Sequence, residues 1–308
     1  MMKEWNGKRY HSLNYYLRNK FGEKVYKISL DGGFTCPNRD GRVAKGGCTF
    51  CSASGSGDYA GSRALSISKQ FEDRKEMMEK KWKDGKYIAY FQAYTNTYAL
   101  VDVLRQKYED ALKQKGVVAL SIATRPDCID DEIADLLGEI NKKTYLWVEL
   151  GLQTINDDTA RNFNRGYDLK VFDESLKKLK DRNIEVVVHT IFGLPGESKE
   201  DMLKTVDYVA HSGVQGIKFH LLHLMEGTRM VKQYESGELK LMTQEDYIDT
   251  VCKAVTMIPE EMVVHRLTGD APRELLIGPM WSLKKWEVLN TIDKALEDND
   301  LWQGKNYK

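Results

Sequence analysis

Three of the five cysteines in this chain lie within one stretch of sixteen residues. Residues 36–51 read CPNRDGRVAKGGCTFC and contain Cys36, Cys48 and Cys51. Thiolates bind zinc and iron–sulfur clusters. A structural zinc site takes four ligands, and this stretch offers three cysteines and no histidine. An iron–sulfur cube held by three cysteines has one iron free to bind a substrate or cofactor.

The overall composition favours a reducing compartment. The chain has 308 residues, with 46 Lys plus Arg and 46 Asp plus Glu. Because its formal net charge is zero, we do not expect it to bind nucleic acid through overall charge alone. No apolar run approaches the roughly 20 residues that cross a bilayer, and the start lacks the apolar stretch of a signal peptide. We therefore expect a cytoplasmic protein without a membrane partner, in which Cys128 and Cys252 are small buried side chains.

Strand-like and helical segments alternate along most of the chain. The apolar pattern predicts strands near 24–31, 86–94, 117–125, 145–153, 185–193 and 215–224, and a weaker one at 262–268. It predicts helices near 66–84, 98–115, 129–141, 156–163, 170–182, 199–211 and 282–296. Such alternation is typical of an α/β fold with a parallel sheet. Six or seven units predict a full or partial TIM-like barrel with its site at the C-terminal strand ends.

Successive side chains of a strand point to opposite faces of its sheet. In YLWVELGLQ, Glu149 and Gln153 share one face, and the leucines and Val148 share the other, which we expect to meet the helices. His189 and Arg125 follow the same alternation on neighbouring strands. A closed barrel prefers branched aliphatic side chains inside. Together these residues predict an open barrel that holds a ligand, although each alone also fits a satisfied buried polar group.

Further short motifs follow the predicted strand ends: TRPD at 124–127, ELGLQ at 149–153, NRG at 164–166 and IFGLPGE at 191–197. With the cysteine loop, this set resembles the radical S-adenosylmethionine enzymes, whose usual cysteine spacing is three residues and then two. Here the spacing is eleven and then two, as in the branch that resembles the catalytic subunit of the elongator complex. The combination of CPNRDG, GGCTFCSASGSGDYAG and FQAYTNTYA is similar to the bacterial YhcC/YtqA-type subfamily.

The resemblance implies a partial (β/α)6 TIM-like barrel of the radical S-adenosylmethionine type with a C-terminal α/β extension. It implies that Cys36, Cys48 and Cys51 are the catalytic metal ligands of a 4Fe-4S cluster whose fourth iron binds S-adenosylmethionine. At matching positions it implies cofactor-binding roles for Phe50, Tyr94, Thr95, Asn96, Gln153, Arg165, His189, Leu224 and Met225. Glu149, which shares a face with Gln153, is a further candidate that faces either cofactor or substrate. The turn at 94–96 lacks the glycines usual in the family.

We divide the chain into a basic and aromatic amino-terminal segment (1–23), the core barrel (24–230) and a C-terminal extension packed on it (231–308). The first segment is either an amphipathic helix with a solvated basic face or an RNA-contacting patch of charges and stacking rings. The residues predicted to contact substrate are Lys8, Arg9, Arg125, Arg266 and Arg273. We interpret His220 and His223 as core or surface residues.

The subfamily resemblance implies cleavage of S-adenosylmethionine to a 5′-deoxyadenosyl radical and modification of the tRNA wobble uridine. A carboxymethylaminomethyl group would become an aminomethyl group, and an electron donor such as flavodoxin or ferredoxin would be needed. Two alternatives stay open on the residues alone. One is a radical enzyme that acts on a small metabolite, which the neutral charge favours. The other is an iron–sulfur or zinc binding protein without catalysis.

Overall fold

The computed structural model describes residues 4–80 and 85–308. Its strands are β1 (Val25–Leu30), β2 (Lys86–Phe91), β3 (Val117–Thr124), β4 (Tyr145–Gln153), β5 (Glu185–Phe192), β6 (Gly216–Leu221), β7 (Leu224–Met225), β8 (Val263–Arg266) and β9 (Leu276–Gly278). Its helices are α1 (Leu13–Phe21), α2 (Pro37–Asp40), α3 (Ile67–Glu79), α4 (Val101–Leu112), α5 (Asp131–Asn141), α6 (Asp157–Asn162), α7 (Leu169–Lys180), α8 (Lys199–His211), α9 (Val231–Glu235), α10 (Gln244–Met257) and α11 (Lys285–Asp298). Within these described ranges, no helix has both the length and the apolar character needed to span a membrane.

Seven strands form one parallel sheet in the order β1-β2-β3-β4-β5-β6-β8, and β7 and β9 form a separate antiparallel pair. The register places inward-facing residues side by side, with Tyr90 opposite Ser121 and His189 opposite Lys218. The sheet is a curled half-barrel, which confirms the predicted α/β, partial TIM-like fold. The weaker strand predicted at 262–268 is present as β8, so the sheet has one strand more than a six-unit barrel.

Helices cover the outer face of the sheet. The outward side chains of β4 (Leu146, Val148, Leu150 and Leu152) are completely buried in the main core, as the alternation predicted. Ser198 and Asp201 form a reciprocal cap that starts α8 directly after the GLPGE turn. The predicted helix at 66–84 is observed as α3, and residues 81–84 lie outside the described residues. The sequence analysis did not predict α10, although its exposed residues Glu245, Asp249 and Lys253 follow a helical spacing.

Helix α1 closes the amino-terminal end of the half-barrel. Ser12 caps its start, and Gly22 ends it in a left-handed conformation at φ +78°. Leu17 packs into a small apolar layer inside the sheet with Ile88, Ala119, Trp147 and Val187. The segment before α1 is also folded, since Trp5 is 1% exposed and Tyr10 is 8% exposed. These two rings belong to the core, and the RNA-contacting interpretation of the segment cannot use them for stacking.

The amino-terminal segment is held against the end of the chain. Lys8 pairs with Asp293 of α11, and Arg9 pairs with Asp300 at 3.1 Å. The backbone N–H of His11 donates to the side chain of Gln303 at 2.7 Å. The segment therefore contacts the chain on both sides of the predicted division at residue 230, as β8 also does. That division stays a prediction.

We expect Leu17→Ala to lower the free energy of unfolding by about 2–4 kcal/mol, because it leaves a cavity in the layer that closes the barrel. Denaturant unfolding followed by circular dichroism measures the loss. The control is Asn19→Ala, an exposed position on the same helix, which we expect to change stability by no more than about 0.5 kcal/mol. Equal stability of the two variants would contradict the assignment of α1 as a packed closure.

Candidate active site

The unusual spacing between the first two cysteines has a structural explanation. Cys36 caps α2, a single helical turn that begins with proline, whose fixed φ suits the first helical position. Gly41 ends this turn at φ +98°, a conformation that a Cβ disfavours. The chain then returns through a Lys-Gly-Gly turn to Cys48. The eleven intervening residues are therefore a helical turn and its return, and all three cysteines line one cavity.

Two side chains of α2 hold the returning part of the loop. Arg39 donates through its guanidinium group to the carbonyl oxygen of Cys51 at 3.2 Å. Asn38 donates to the carbonyl oxygen of Asn164, and Asn164 donates through its own amide to the carbonyl of Gly47 at 2.8 Å. The NRG motif that Asn164 begins is therefore the support on which the cysteine loop rests.

The cavity at the C-terminal strand ends has a volume of about 570 Å³ and includes the thiols of Cys36, Cys48 and Cys51 in its lining. These thiols are free and partly buried. Cys128 and Cys252 are buried away from this lining, which confirms their prediction as core residues. Across residues 4–80 and 85–308, no three His, Cys, Asp or Glu side chains are grouped around the position of a single metal ion. Three soft thiolates on one wall fit a 4Fe-4S cluster with one iron left for another ligand.

The protein alone does not hold the thiol of Cys48 as a thiolate. Burial raises the pKa of Cys48 to about 12, and the nearby thiol of Cys51 raises it as well, while Arg125 opposes both. At neutral pH this thiol therefore carries its proton. Metal binding to such a site must release that proton.

Two residues that follow strands at the cavity have left-handed backbones. Tyr94, just beyond β2, has φ +59°, and Gln153, the last residue of β4, has φ +64°. Non-glycine residues in this region are strained and occur preferentially at ligand sites. The β4–β5 register shifts between Gly151 and Gln153, and Gln153 lines the cavity.

The glycine-rich segment after the third cysteine lies over Tyr94. The backbone N–H of Tyr94 donates to the carbonyl of Gly55 at 2.9 Å, and its hydroxyl donates to the carbonyl of Ala53 at 2.6 Å. A Cβ on Gly55 would come within 2.4 Å of the Tyr94 ring. The absence of a side chain at this position thus lets the segment close over the ring beside the thiols.

Arg125 lies in the cavity wall, in the TRPD motif. Its guanidinium group forms a bidentate ion pair with Asp127, with bonds of 2.9 and 2.6 Å. It also donates to the carbonyl of Arg165 at 2.9 Å and lies 4.8 Å from the centre of the Tyr167 ring. The motif therefore holds a cation rigidly beside the thiols.

Arg165 lies behind the cavity wall and is 1% exposed. Its guanidinium group donates to the carbonyl oxygens of Leu152 and Thr154, both at 2.7 Å, and to Asp157 at 3.0 Å. A fourth bond reaches the carbonyl of Tyr167. With its donors used in this way, Arg165 supports the end of β4 and does not face the cavity.

The IFGLPGE motif supports the same strand end through its last residue. Thr154 donates its hydroxyl to Glu197 and accepts from the backbone N–H of Asn156 at 2.9 Å. Burial raises the pKa of Glu197 to about 7, although the bond from Thr154 opposes this. The ELGLQ and IFGLPGE motifs are thus joined by a carboxyl group that keeps its proton in mildly acidic solution.

The floor of the cavity is built around Glu149, which is 1% exposed. Its carboxylate accepts hydrogen bonds from five strands, through Lys27, Ser121, Trp147, His189 and Lys218. Burial alone would raise the pKa of Glu149, but the ammonium groups of Lys218 and Lys27 outweigh it and hold the pKa well below its usual range. The floor therefore contains a carboxylate at any pH near neutrality.

His189 joins this floor as a neutral side chain. Burial lowers its pKa to about 4, and Lys218 lowers it further, against the opposing effect of Glu149. Its Nε2 lies 2.9 Å from Oε2 of Glu149. Because that oxygen can only accept, Nε2 carries the proton and Nδ1 is left as an acceptor.

Most of the predicted site residues share this cavity. Its lining includes Cys36, Cys48, Phe50, Cys51, Tyr94, Thr95, Arg125, Glu149, Gln153, His189, Met225 and Arg266. The cofactor and substrate roles of these residues stay predictions.

Other predicted residues lie elsewhere. Asn96 is completely buried and donates to the carbonyl oxygens of Phe91 and Ala123, behind the lining. Leu224 is completely buried in β7, within an apolar cluster against which Cys48 and Phe50 pack. Lys8, Arg9 and Arg273 are outside the lining. Direct cofactor contact by Asn96, Arg165 or Leu224 would require side-chain rearrangement.

The sequence analysis missed several residues of the floor: Lys27, Lys218, His220, His223 and His265. A signal existed for the two lysines, since each stands at an inward position of a mostly apolar strand. His220 and His223, interpreted as core or surface residues, line the cavity instead. Arg39 was also overlooked, although its place inside the cysteine loop could have pointed to it.

A parallel half-barrel with a three-thiol loop at its C-terminal rim defines the class of fold and site. Residues 38–209 match the sequence profile of the Radical SAM superfamily, and residues 214–298 match that of the Radical SAM C-terminal domain. The chain belongs to the Radical SAM superfamily. Its cofactors are accordingly a 4Fe-4S cluster and S-adenosylmethionine.

Similar proteins cover nearly the whole chain. Protein YtqA of Bacillus subtilis is 58% identical over 301 residues, which are 98% of this chain and 94% of YtqA. Protein YhcC of Escherichia coli is 39% identical over 284 residues, 92% of this chain and 91% of YhcC. Elongator complex protein 3 of Schizosaccharomyces pombe is 24% identical over 207 residues, 62% of this chain but only 37% of that protein.

Two solved structures share the fold. The archaeal Methanocaldococcus infernus Elp3 with an N-terminal deletion superposes with a TM-score of 0.68 at 19% identity, covering 91% of this chain and 64% of that one. Methylornithine synthase (PylB) gives a TM-score of 0.50 at 13% identity, covering 94% and 86%. At these identities the likeness shows the fold alone.

Replacing Cys36, Cys48 or Cys51 by serine removes a thiolate that the cluster needs. After anaerobic reconstitution, we expect each variant to hold on the order of tenfold less iron and sulfide than the wild type. Iron and sulfide analysis together with visible absorbance measures the loss. Cys252→Ala, a buried position away from the cavity, is the matched control and should keep full cluster content. A variant of the triad that still binds a complete cluster would contradict the assignment.

The carboxyl group of Glu197 gives a prediction about pH. Its pKa is raised from 4.5 to about 7, so its contribution to stability is complete below pH 4.5 and is lost as the pH rises through 7. Glu197→Gln stays neutral, and we expect it to be more stable than the wild type by about 1–2 kcal/mol at pH 8 and equally stable near pH 4.

Denaturant unfolding at the two pH values measures this difference. Asn19→Ala, an exposed substitution that changes no titrating group, is the control, and its difference from the wild type should not change with pH. If the advantage of Glu197→Gln is the same at both pH values, the carboxyl group is not protonated in the folded protein as described.

Proposed function

We propose that this radical SAM enzyme modifies the wobble uridine of tRNA by converting a carboxymethylaminomethyl group to an aminomethyl group. The observation that carries the proposal is the three-thiol loop at the rim of a deep cavity with a polar, charged floor. The choice of tRNA as the substrate is inferred from the sequence resemblance to the YhcC/YtqA-type subfamily.

The residues present fit the two cofactors of the family. Cys36, Cys48 and Cys51 would hold the cluster, and Phe50, Tyr94, Thr95, Gln153, His189 and Met225 line the space beside it. When bound, the cluster and S-adenosylmethionine supply a 5′-deoxyadenosyl radical that removes a hydrogen atom from an unactivated carbon, and the oxidised cluster can accept an electron in return.

The substrate arm suits this chemistry. Its carbon between the amine and the carboxylate forms a stabilised radical when it loses a hydrogen atom. Loss of one further electron gives an iminium group, and addition of water then releases glyoxylate and leaves the aminomethyl uridine. Each turnover therefore removes one hydrogen atom and one electron from the arm and consumes one water molecule.

The protein's own part is to enclose and orient the arm. The walls and the segment at Gly55 limit solvent near a species that would attack any exposed C–H bond. Neutral His189 offers an acceptor at Nδ1 in the floor, and the rigid Arg125–Asp127 pair fixes a cation at the wall. These groups would position the reacting carbon, and such positioning lowers the barrier to reaction.

The partners follow from the same proposal. A low-potential donor such as flavodoxin or ferredoxin supplies the electron, and free cysteines throughout the chain suit the reducing cytoplasm. Lys8 and Arg9 are candidate contacts to the tRNA backbone, although each already pairs with an aspartate. The Lys8 side chain is 43% exposed, so part of it faces solvent.

Nucleoside analysis of tRNA from a deletion strain tests the substrate. We expect carboxymethylaminomethyl uridine to accumulate and the aminomethyl form to fall to background. Complementation with the wild type or with Cys252→Ala should restore the wild-type pattern, and Cys48→Ser should not. Wobble uridines that are unchanged by the deletion would remove tRNA as the substrate.

A further inference from the structure

We propose that the inner chamber of the cavity binds the carboxylate of the substrate, so that the arm enters with its acidic end toward the floor. The inner chamber is the part of the cavity formed by the charged, histidine and tyrosine side chains that the strands contribute to its lining: Lys27, Tyr90, Glu149, His189, Lys218, His220, His265 and Arg266. This inference rests on the proposed function for the identity of the arm. It adds a binding subsite and the residues that determine its specificity.

The first argument is the balance of charge. Lys27 and Lys218 both bind Glu149, and when both are protonated its single carboxylate cannot neutralise two ammonium groups. Arg266 is the third cation of the chamber, and its nearest carboxylate in the described part of the chain is Asp270, at 3.5 Å. Asp270 also pairs with Lys285 at 2.6 Å. The chamber is thus short of negative charge.

The second argument is that donors remain available. An ammonium group has three N–H donors. Among the described residues, Lys218 and Lys27 each direct one recorded bond to Glu149. The Lys27 and Lys218 nitrogens also lie 4.6 and 5.0 Å from the centre of the Tyr90 ring. Two lysines on one side of a cavity therefore present further N–H groups to whatever enters it.

The third argument is the cost of the empty chamber. Burial lowers the pKa of Lys218 well below its usual value, and Lys27 and Arg266 lower it further, while only Glu149 raises it. Nε2 of His220 and Nδ1 of His265 are buried without a hydrogen-bond partner among the described residues. Buried polar groups without partners are destabilising. An anion in the chamber would relieve the crowding of positive charge.

The position of the chamber matches the chemistry. His189 bonds Glu149 in the chamber and lines the same cavity as the three thiols. If Lys218 and Arg266 bind the carboxylate, the carbon attached to that carboxylate lies next to the floor, on the side of the open cavity. That carbon is the one from which the proposed reaction removes hydrogen. Binding energy from the carboxylate would therefore orient the reacting group.

Binding of N-methylglycine tests the chamber without using catalysis. This probe carries the amine, carbon and carboxylate of the arm. Its amide keeps the amine and replaces only the carboxylate by an uncharged group, so it is the matched control ligand. With oxidised holoenzyme, we expect N-methylglycine to shift the indole N–H resonance of Trp147, which bonds Glu149 at 3.1 Å. The amide should shift it at least about tenfold less at equal concentration. Inorganic phosphate that competes better than N-methylglycine would overturn the assignment to a carboxylate.

Variants of the cations complete the test. Arg266 pairs with Asp270 and not with Glu149, so Arg266→Gln leaves the bonds to the buried carboxylate in place. We expect this variant to weaken N-methylglycine binding at least about tenfold. Lys27→Met should do the same, and thermal unfolding will show whether either variant is folded. Lys284→Gln, an exposed position beside α11, should bind as the wild type does. Binding that is unchanged in both folded cation variants would overturn the proposal.

The two proposals can fail separately. If N-methylglycine binds with the expected variant pattern but the deletion strain has normal wobble uridines, the chamber is a carboxylate site and the tRNA substrate is wrong. If the tRNA is converted but N-methylglycine and its amide bind alike, the proposed function holds and the chamber does not recognise the carboxylate.

Discussion

The buried carboxylate of Glu149 is the interaction on which the half-barrel depends. It joins side chains from β1, β3, β4, β5 and β6, and its charge is compensated only when those strands hold their register. A buried charge that loses a partner is strongly destabilising, so this centre penalises a slipped or flattened sheet. Below it lies the apolar layer closed by α1, and above it lies the cavity. The polar centre thus separates the part of the barrel that gives stability from the part that binds ligands.

The rim of the cavity is built differently, from turns that support one another. The cysteine loop rests on Asn164, the NRG motif rests on the end of β4 through Arg165, and that strand end is tied to Glu197 through Thr154. Motifs that are far apart in the sequence therefore form one connected support for the three thiols. A substitution in any of these supporting motifs would therefore disturb the positions of the three cysteines, even though the supporting residues are not themselves predicted metal ligands.

The sequence predicted the parts that periodicity controls. The alternation predicted Glu149, Gln153 and His189 inside and Val148 outside, because successive side chains of a strand point to opposite faces of the sheet. It failed where side chains leave turns, so Arg165 and Asn96 were expected at the ligand and instead bond carbonyl groups behind the wall. It also missed Lys27 and Lys218, whose partner Glu149 is 122 and 69 residues away. A lone lysine at an inward position of a mostly apolar strand indicates a buried partner, but only the fold identifies that partner as Glu149.

The path of the chain just before α1 has a consequence for behaviour in concentrated solution. The backbone N–H of Val264 donates to the carbonyl of His11 at 2.8 Å, and Ser12 bridges to Val264. Strand β8 is the last of the seven, and a bare final strand offers free N–H and C=O groups to other molecules. The segment at His11 and Ser12 occupies part of the exposed edge of β8, and the bond from His11 to Gln303 holds this segment in place. Versions of the chain shortened at either terminus would therefore become prone to self-association and insolubility before they lost their fold.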